Sequence, residues 1–365
     1  MKRFLLFLKH IDWLIALPVI VLVAFSLAEL YSISLGQGGA SWEFFKKQLV
    51  FAVIGLVIFF VLALMDFHHL YSYSHYLYII AGLSLIAVLV FGQTINGTRG
   101  WFGFFGLGLQ PVELVKLVLI VWLARYFSKG SMAARPLKHL LISGAFTGVL
   151  ILLIMLQPDL GSAALLFAIW IILLVANNVP RKYLITIFAG FFVLFLLAWQ
   201  FTFKDYQRER VLTYFKPSAS STNYNVKQAI IAVGAGGMFG RGLGFGSQSQ
   251  LKFLPEANTD FMFAVIAEEL GLIGVIVVIG CFGLLLFRFT SSLSRGRNYF
   301  GSLIIVGGAG LIFIEMFINI GMNMGILPVI GIPLPFVSYG GSSLIAHLAL
   351  VGVMHSITRR TVAKR

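Results

Sequence analysis

Charge is what this sequence has least of. Only 11% of its 365 residues are Asp, Glu, Lys or Arg, against 59% hydrophobic. A soluble domain carries about 25% charged and roughly 45–50% apolar residues. So few charges cannot cover a water-facing surface, which excludes a soluble globular enzyme. The apolar excess excludes a disordered chain. Cysteine is nearly absent too. Cys281 stands alone inside an apolar run, which excludes a disulfide framework and a thiolate metal cluster. No Gly-Lys pair occurs, so there is no phosphate-cradling P-loop. His-Glu-x-x-His and Gly-x-Ser-x-Gly are missing as well, which removes zincin and α/β-hydrolase chemistry. The alternation of an outer-membrane barrel is replaced by continuous runs such as Val149–Leu156 and Ile185–Ala198.

What is present is apolar length. A helix crosses a bilayer core with about 20 residues. Charged or Gly/Pro-rich breaks separate ten apolar runs, at about 13–33, 47–65, 77–92, 111–127, 139–156, 161–178, 183–203, 261–287, 299–324 and 343–356. The expectation is an all-α integral membrane protein, a bundle of ten transmembrane helices. It forms a single polytopic membrane domain over residues 1–365, with a large extracytoplasmic loop (about 204–258) before the eighth helix. Lys2, Arg3 and the later Ser26-Leu27-Ala28 give the N-terminus some features of a signal peptide. The stretch from Trp13 to Ala28 exceeds an h-region of about 7–15 residues, so it reads as a retained first helix.

The net charge of +14 comes from 27 basic and 13 acidic residues. With both termini in the cytoplasm, sixteen Lys and Arg fall in cytoplasmic segments and three, Lys46, Lys47 and Arg99, in short outer loops. Seven more lie in the 204–258 loop, a length at which the positive-inside rule weakens. The charge is therefore a topology signal, and membrane lipid rather than nucleic acid is the expected partner.

Carboxylates are few enough to weigh one by one. Glu113, Glu268, Glu269 and Glu315 fall within spans, where ionisable groups are costly and mark function. Glu113 and Lys116, at i and i+3, share one helix face. They read either as an ion pair neutralising a dry bundle or as a pair that orients a substrate phosphate. Asp159 sits in the break Gln157-Pro158-Asp159-Leu160-Gly161. Asp260 precedes the eighth span and reads equally as a helix N-cap or as a general base taking a proton from a sugar hydroxyl. Arg99, Arg208, Arg210 and Lys252 lie outside, where an arginine fork suits pyrophosphate oxygens and equally a phospholipid headgroup. His68, His69 and His75 are expected in a cytoplasmic loop. The seven glycines of positions 234–246 miss the Gly-x-Gly-x-x-Gly offsets and predict a compact, backbone-accessible loop. Three prolines in Leu327–Phe336 forbid a regular helix there and predict a cavity wall on the outer side.

Five stretches, in order, carry a family resemblance: Asn96-Gly97-Thr98-Arg99-Gly100-Trp101; Gln110-Pro111-Val112-Glu113-Leu114-Val115-Lys116; Gln157-Pro158-Asp159-Leu160-Gly161; Phe253-Leu254-Pro255-Glu256-Ala257-Asn258-Thr259-Asp260-Phe261; and Gly331-Ile332-Pro333-Leu334-Pro335-Phe336-Val337-Ser338-Tyr339-Gly340-Gly341-Ser342. Nearly end to end, the chain resembles the SEDS family (shape, elongation, division and sporulation). Its short N-terminal tail is more similar to the RodA branch than to the FtsW branch. The resemblance implies a peptidoglycan glycosyltransferase of the bacterial cytoplasmic (inner) membrane that polymerises lipid II for cell-wall elongation and cell shape. It places the catalytic aspartate on Asp260 and the buried Glu–Lys pair on Glu113 and Lys116. Arg99, Asp159, Arg210 and Ser338 are candidates for binding substrate or supporting the site. Undecaprenyl-pyrophosphate-linked glycan is the expected donor. A class B penicillin-binding protein, a transpeptidase, is the expected partner. The chemistry admits a divalent cation and demands no cofactor. Val112, Asn258 and Ile330 depart from the family's frequent serine, histidine and threonine, so a role carried by that histidine has no counterpart here. Two other functions fit an intramembrane charge set: a flippase for the lipid-linked precursor, suggested by Glu268, Glu269 and Glu315, and a non-catalytic scaffold for a transpeptidase.

Overall fold

The structure, a computed structural model, describes residues 11–37, 41–95, 97–104, 107–130, 135–201, 221–294 and 298–362. Twelve helices run through these residues. They are α1 (Trp13–Gln37), α2 (Ser41–Leu64), α3 (His68–Phe91), α4 (Pro111–Ser128), α5 (Pro136–Met155), α6 (Leu160–Ala176), α7 (Arg181–Phe201), α8 (Ser221–Gly236), α9 (Ser247–Gln250), α10 (Met262–Leu293), α11 (Tyr299–Asn323) and α12 (Gly341–Val362). Seven of them, α1, α2, α3, α5, α10, α11 and α12, are long and apolar enough to cross a membrane. The chain is thus a multi-pass membrane protein. Two further apolar helices fall short for visible reasons: α6 has 17 residues, and α4 carries Glu113, Lys116 and Arg125 among its 18.

α12 is the buried centre, packed along α2. Gly352 permits that contact, since a Cβ there would stand 2.8 Å from the Phe59 carbonyl oxygen. α4 lies against α3, α6 and α11, and α10 against α1 and α8. Leu119, Ile120, Leu166, Ile304, Leu348 and Met354 fill the space between these helices. α3 and α5 lie at the periphery with most of their surface turned outward, as expected of lipid-facing helices.

Three findings revise the sequence reading. A small antiparallel meander, β1 (Gln93–Ile95), β2 (Thr98–Phe104) and β3 (Leu107–Leu109), fills the stretch between α3 and α4. Its first turn holds Gly97 at φ +81°, which suits glycine, and Phe102 pairs with Leu109. Second, α3 begins at His68, so His68, His69 and His75 occupy helix rather than loop. His75 Nδ1 accepts a bond from Trp122 Nε1 at 3.1 Å. Third, residues 221–250 of the long loop contain helices α8 and α9, and α8 buries Ala229 and Ala232. The three-proline segment has no helix, as expected.

Candidate active site

Asp260 sits half-buried just before α10, whose capping position is Phe261. Its backbone is held by α11. The Asp260 carbonyl accepts from Asn319 Nδ2 at 3.1 Å and Asn323 Nδ2 at 2.9 Å. Asn323 Oδ1 in turn accepts from the Ala264 amide in the first turn of α10 at 3.1 Å, an N–H shared with the Phe261 carbonyl. The proline segment holds the preceding residues. The Ser338 hydroxyl donates to the Thr259 carbonyl at 2.6 Å, and the Tyr339 amide donates to the Asn258 carbonyl at 2.8 Å. Ser338 therefore anchors the residue that precedes Asp260.

Asp260 opens onto a cavity of about 450 Å³ that Glu113, Lys116, Asp159, Glu256 and Ser343 also line. Val329–Pro333 form one wall, as the prolines predicted. Asp159 caps α6: its Oδ1 accepts from the Ser162 amide at 3.0 Å and its Oδ2 from the Ser162 hydroxyl at 2.7 Å.

At the inner end of the cavity the Glu113–Lys116 pair forms as the spacing required, with 2.9 Å between Lys116 Nζ and Glu113 Oε2. It belongs to a larger network. Lys116 Nζ donates to Glu315 Oε1 at 2.6 Å, and Glu315 Oε2 meets His347 Nε2 at 2.5 Å. His347 Nδ1 faces the Ser343 carbonyl at 2.7 Å. Both ring nitrogens of His347 face acceptors, which suits the doubly protonated ring. Two carboxylates, one ammonium and one imidazolium then leave this buried group without net charge. That is the arrangement that makes buried ions tolerable. Glu315 was legible only as a charge inside a span, and His347 not at all.

Of the arginines anticipated for pyrophosphate, Arg99 does not line the cavity. Arg99 is exposed, and its guanidinium donates to the Val90 carbonyl at 2.9 Å and the Gly92 carbonyl at 3.2 Å, at the C-terminal end of α3. Arg208 and Arg210 lie outside the described residues. Glu268 and Glu269 bind the loop of residues 244–250: Glu268 Oε1 accepts from the Gln248 amide at 2.8 Å, and Glu269 Oε1 from Gln250 Nε2 at 2.9 Å. Among the described residues, no three His, Cys, Asp or Glu side chains group as a metal site. Cavity carboxylates would supply a divalent cation with only part of its shell, as with cations that complete it from substrate phosphate. The single Ser-x-x-Lys spacing, Ser249 to Lys252, pairs a fully buried serine with an exposed lysine.

The chain matches a family model for FtsW, RodA and SpoVE, described as cell cycle proteins, over residues 5–363. It is 34% identical over 353 residues to the peptidoglycan glycosyltransferase MrdB of Escherichia coli (strain K12), covering 95% of this chain and 93% of that protein. It is 33% identical over 365 residues to stage V sporulation protein E of Bacillus subtilis, covering 95% and 97%. Among solved structures, a chain of a peptidoglycan synthase complex that coordinates polymerization and crosslinking superposes with a TM-score of 0.81 at 31% identity, covering 96% of this chain and 98% of that one. The rod shape determining protein RodA of Thermus thermophilus superposes with a TM-score of 0.72 at 30% identity, covering 96% and 97%.

Proposed function

The chain belongs to the FtsW, RodA and SpoVE family, the SEDS proteins, and from that premise we propose that it is a peptidoglycan glycosyltransferase polymerising lipid II. The reading is of one polytopic unit with ten spans, α1–α7 and α10–α12. The basic-residue bias puts both termini in the cytoplasm and Asp260 on the outer face.

The observation that carries the proposal is the position of Asp260. Two elements, α11 and the Ser338–Tyr339 segment, hold the backbone at and before it, and it opens onto a cavity shared with the Glu113–Lys116 network. The growing glycan, on undecaprenyl pyrophosphate, is the donor. An incoming lipid II presents its GlcNAc 4-hydroxyl. Asp260 accepts the hydroxyl proton as the oxygen attacks the anomeric carbon. The bond from that carbon to the pyrophosphate oxygen breaks with inversion, and undecaprenyl pyrophosphate leaves. Pyrophosphate is stable as an anion, so the second carboxylic acid of a glycosidase is not required. Glu113 and Lys116 shape and neutralise the floor of the cavity.

The flippase reading rested on Glu268, Glu269 and Glu315. These carboxylates hold a loop and a lysine inside the protein, which supports catalysis over transport. A class B penicillin-binding protein supplies cross-linking as partner.

The test is Asp260→Asn with purified lipid II. Asparagine is nearly isosteric and cannot serve as a base, so glycan polymer on gels should fall about 10²–10⁴-fold while thermal stability holds. Near-normal polymer from a stable variant would remove the assignment and bring the transport and scaffold readings forward.

A further inference from the structure

We propose that residues 237–246, expected as part of an aqueous loop, form a re-entrant wedge. Its face of Met238, Phe239, Leu243 and Phe245 inserts among the acyl chains of the leaflet on Asp260's side. The proposal rests on the membrane-spanning fold and not on the reaction.

The first observation is a break in α10. Gly271 adopts φ +66° and ψ −162° inside that helix, a conformation open to glycine. By the 1.5 Å rise per residue, this break lies roughly 13 Å along α10 from its first residue. The wedge fills it with backbone. The Leu272 amide donates to the Gly237 carbonyl at 2.9 Å and the Ile273 amide to the Met238 carbonyl at 3.3 Å. In return the Arg241 amide donates to the Glu268 carbonyl at 3.0 Å and the Gly242 amide to the Glu269 carbonyl at 2.9 Å. The Gly244 amide reaches Glu269 Oε2 at 3.1 Å. The approach needs glycine: a Cβ on Gly240 would stand 2.1 Å from the Glu269 carbonyl oxygen. A loop in water has no need to pair its amides with a broken helix. Irregular backbone at membrane depth persists only when protein satisfies it.

The second observation is the outer surface. Phe239 is 79% exposed and Phe245 75%. Met238 and Leu243 lie open beside them, and the surface continues directly into exposed Leu272, Ile273 and Ile276 of the α10 span. Two exposed aromatics continuous with a lipid-facing helix fit acyl chains and not water. Arg241 is the one charged residue between 237 and 246. Its guanidinium donates to the Ser247 hydroxyl at 2.8 Å and the Ala235 carbonyl at 3.4 Å, turning its charge back toward the protein.

The experiment uses the full chain with Cys281 replaced by alanine and a single nitroxide-labelled cysteine, in vesicles of phosphatidylcholine and phosphatidylglycerol. Phe239→Cys, Phe245→Cys and Met238→Cys report the face. Ile276→Cys is the acyl-chain reference and Thr94→Cys, exposed in β1, the aqueous one. Power saturation against oxygen and a water-soluble nickel chelate should give an oxygen-to-nickel accessibility ratio several-fold higher at the wedge sites than at Thr94, and close to that at Ile276. Nickel access equal to that at Thr94 would overturn the proposal in favour of an aqueous loop. Exclusion of both reagents would overturn it in favour of a protein-covered face. Each site reports alone, so misfolding of one variant leaves two others to decide.

Discussion

At the scale of single residues, the network of Glu113, Lys116, Glu315 and His347 decides what the cavity floor tolerates. Removing one member leaves an unpaired buried charge, which costs about 3–5 kcal/mol. Glu315→Gln and Lys116→Met should each lower the thermal midpoint in detergent sharply, and the double variant should be milder than their sum. A double-mutant cycle measures this; additive losses would show that the two side chains do not act together. Asn323→Ala should separate position from folding differently. It removes one of the two bonds to the Asp260 carbonyl, so kcat for polymerisation should fall several-fold while KM for lipid II changes little. An unchanged kcat would show that Asn319 and the proline segment hold Asp260 alone. Half of this network was readable from sequence. Glu113 and Lys116 are three apart on one helix, and helical periodicity brings them together. Glu315 is 199 positions from Lys116, and His347 is on a third helix. Only the packing of α4, α11 and α12 makes them neighbours.

At the scale of elements, the turn between α2 and α3 is tied to the end of α12. Asp66 accepts from the His68 amide at 3.0 Å and from Arg360 Nη1 at 2.9 Å. The His68 backbone N–H, with His68 and Arg360 charges beside it, holds the Asp66 carboxyl down to about 2. A carboxyl depressed in the folded state stabilises above its unfolded value of about 3.9 and loses that contribution as pH falls through its folded value. The stability difference between the native protein and Asp66→Asn should therefore be full at neutral pH and fade between roughly pH 4 and 2. Thermal unfolding across that range checks it, and a difference independent of pH would discount the ionised form. Helix contacts make a second prediction. Gly352→Val places methyl groups against the Phe59 carbonyl and should destabilise by about 1–3 kcal/mol. The helices themselves were legible because apolar length is a strong signal. The meander at 93–109 was not, because its strands are short and the Asn96-Gly97 turn signal sits among membrane spans. The break at Gly271 was hidden for another reason: one glycine inside a long apolar run gives no sign that a distant loop will pair with it.

At the scale of the whole molecule, the basic-residue bias makes a prediction about sidedness. A C-terminal tag should be reached only from the cytoplasm, and a cysteine replacing Ser220 should label from outside intact cells. Labelling only after permeabilisation would invert both the topology and the side of Asp260.

The chain also predicts company. Penicillin-binding transpeptidases use a serine nucleophile in a Ser-x-x-Lys motif, with a Lys-Thr-Gly further on. The one Ser-x-x-Lys spacing places Ser249 at 0% exposure, its hydroxyl donating to the Gly246 carbonyl at 3.2 Å, while Lys252 is exposed. No Lys-Thr-Gly follows it in the sequence, so the motif set of a transpeptidase is incomplete. The prediction is that cross-linking comes from another polypeptide with its catalytic domain on Asp260's side of the membrane. A class B penicillin-binding protein has that form, with one membrane helix to lie beside this bundle and an outer domain to receive the strand. Co-purification from native membranes should recover the two together, and adding the partner to purified protein should raise polymer yield from lipid II. Full polymerase activity from the isolated chain, unchanged by the partner across lipid and salt conditions, would show that the two enzymes work in sequence without an obligate complex.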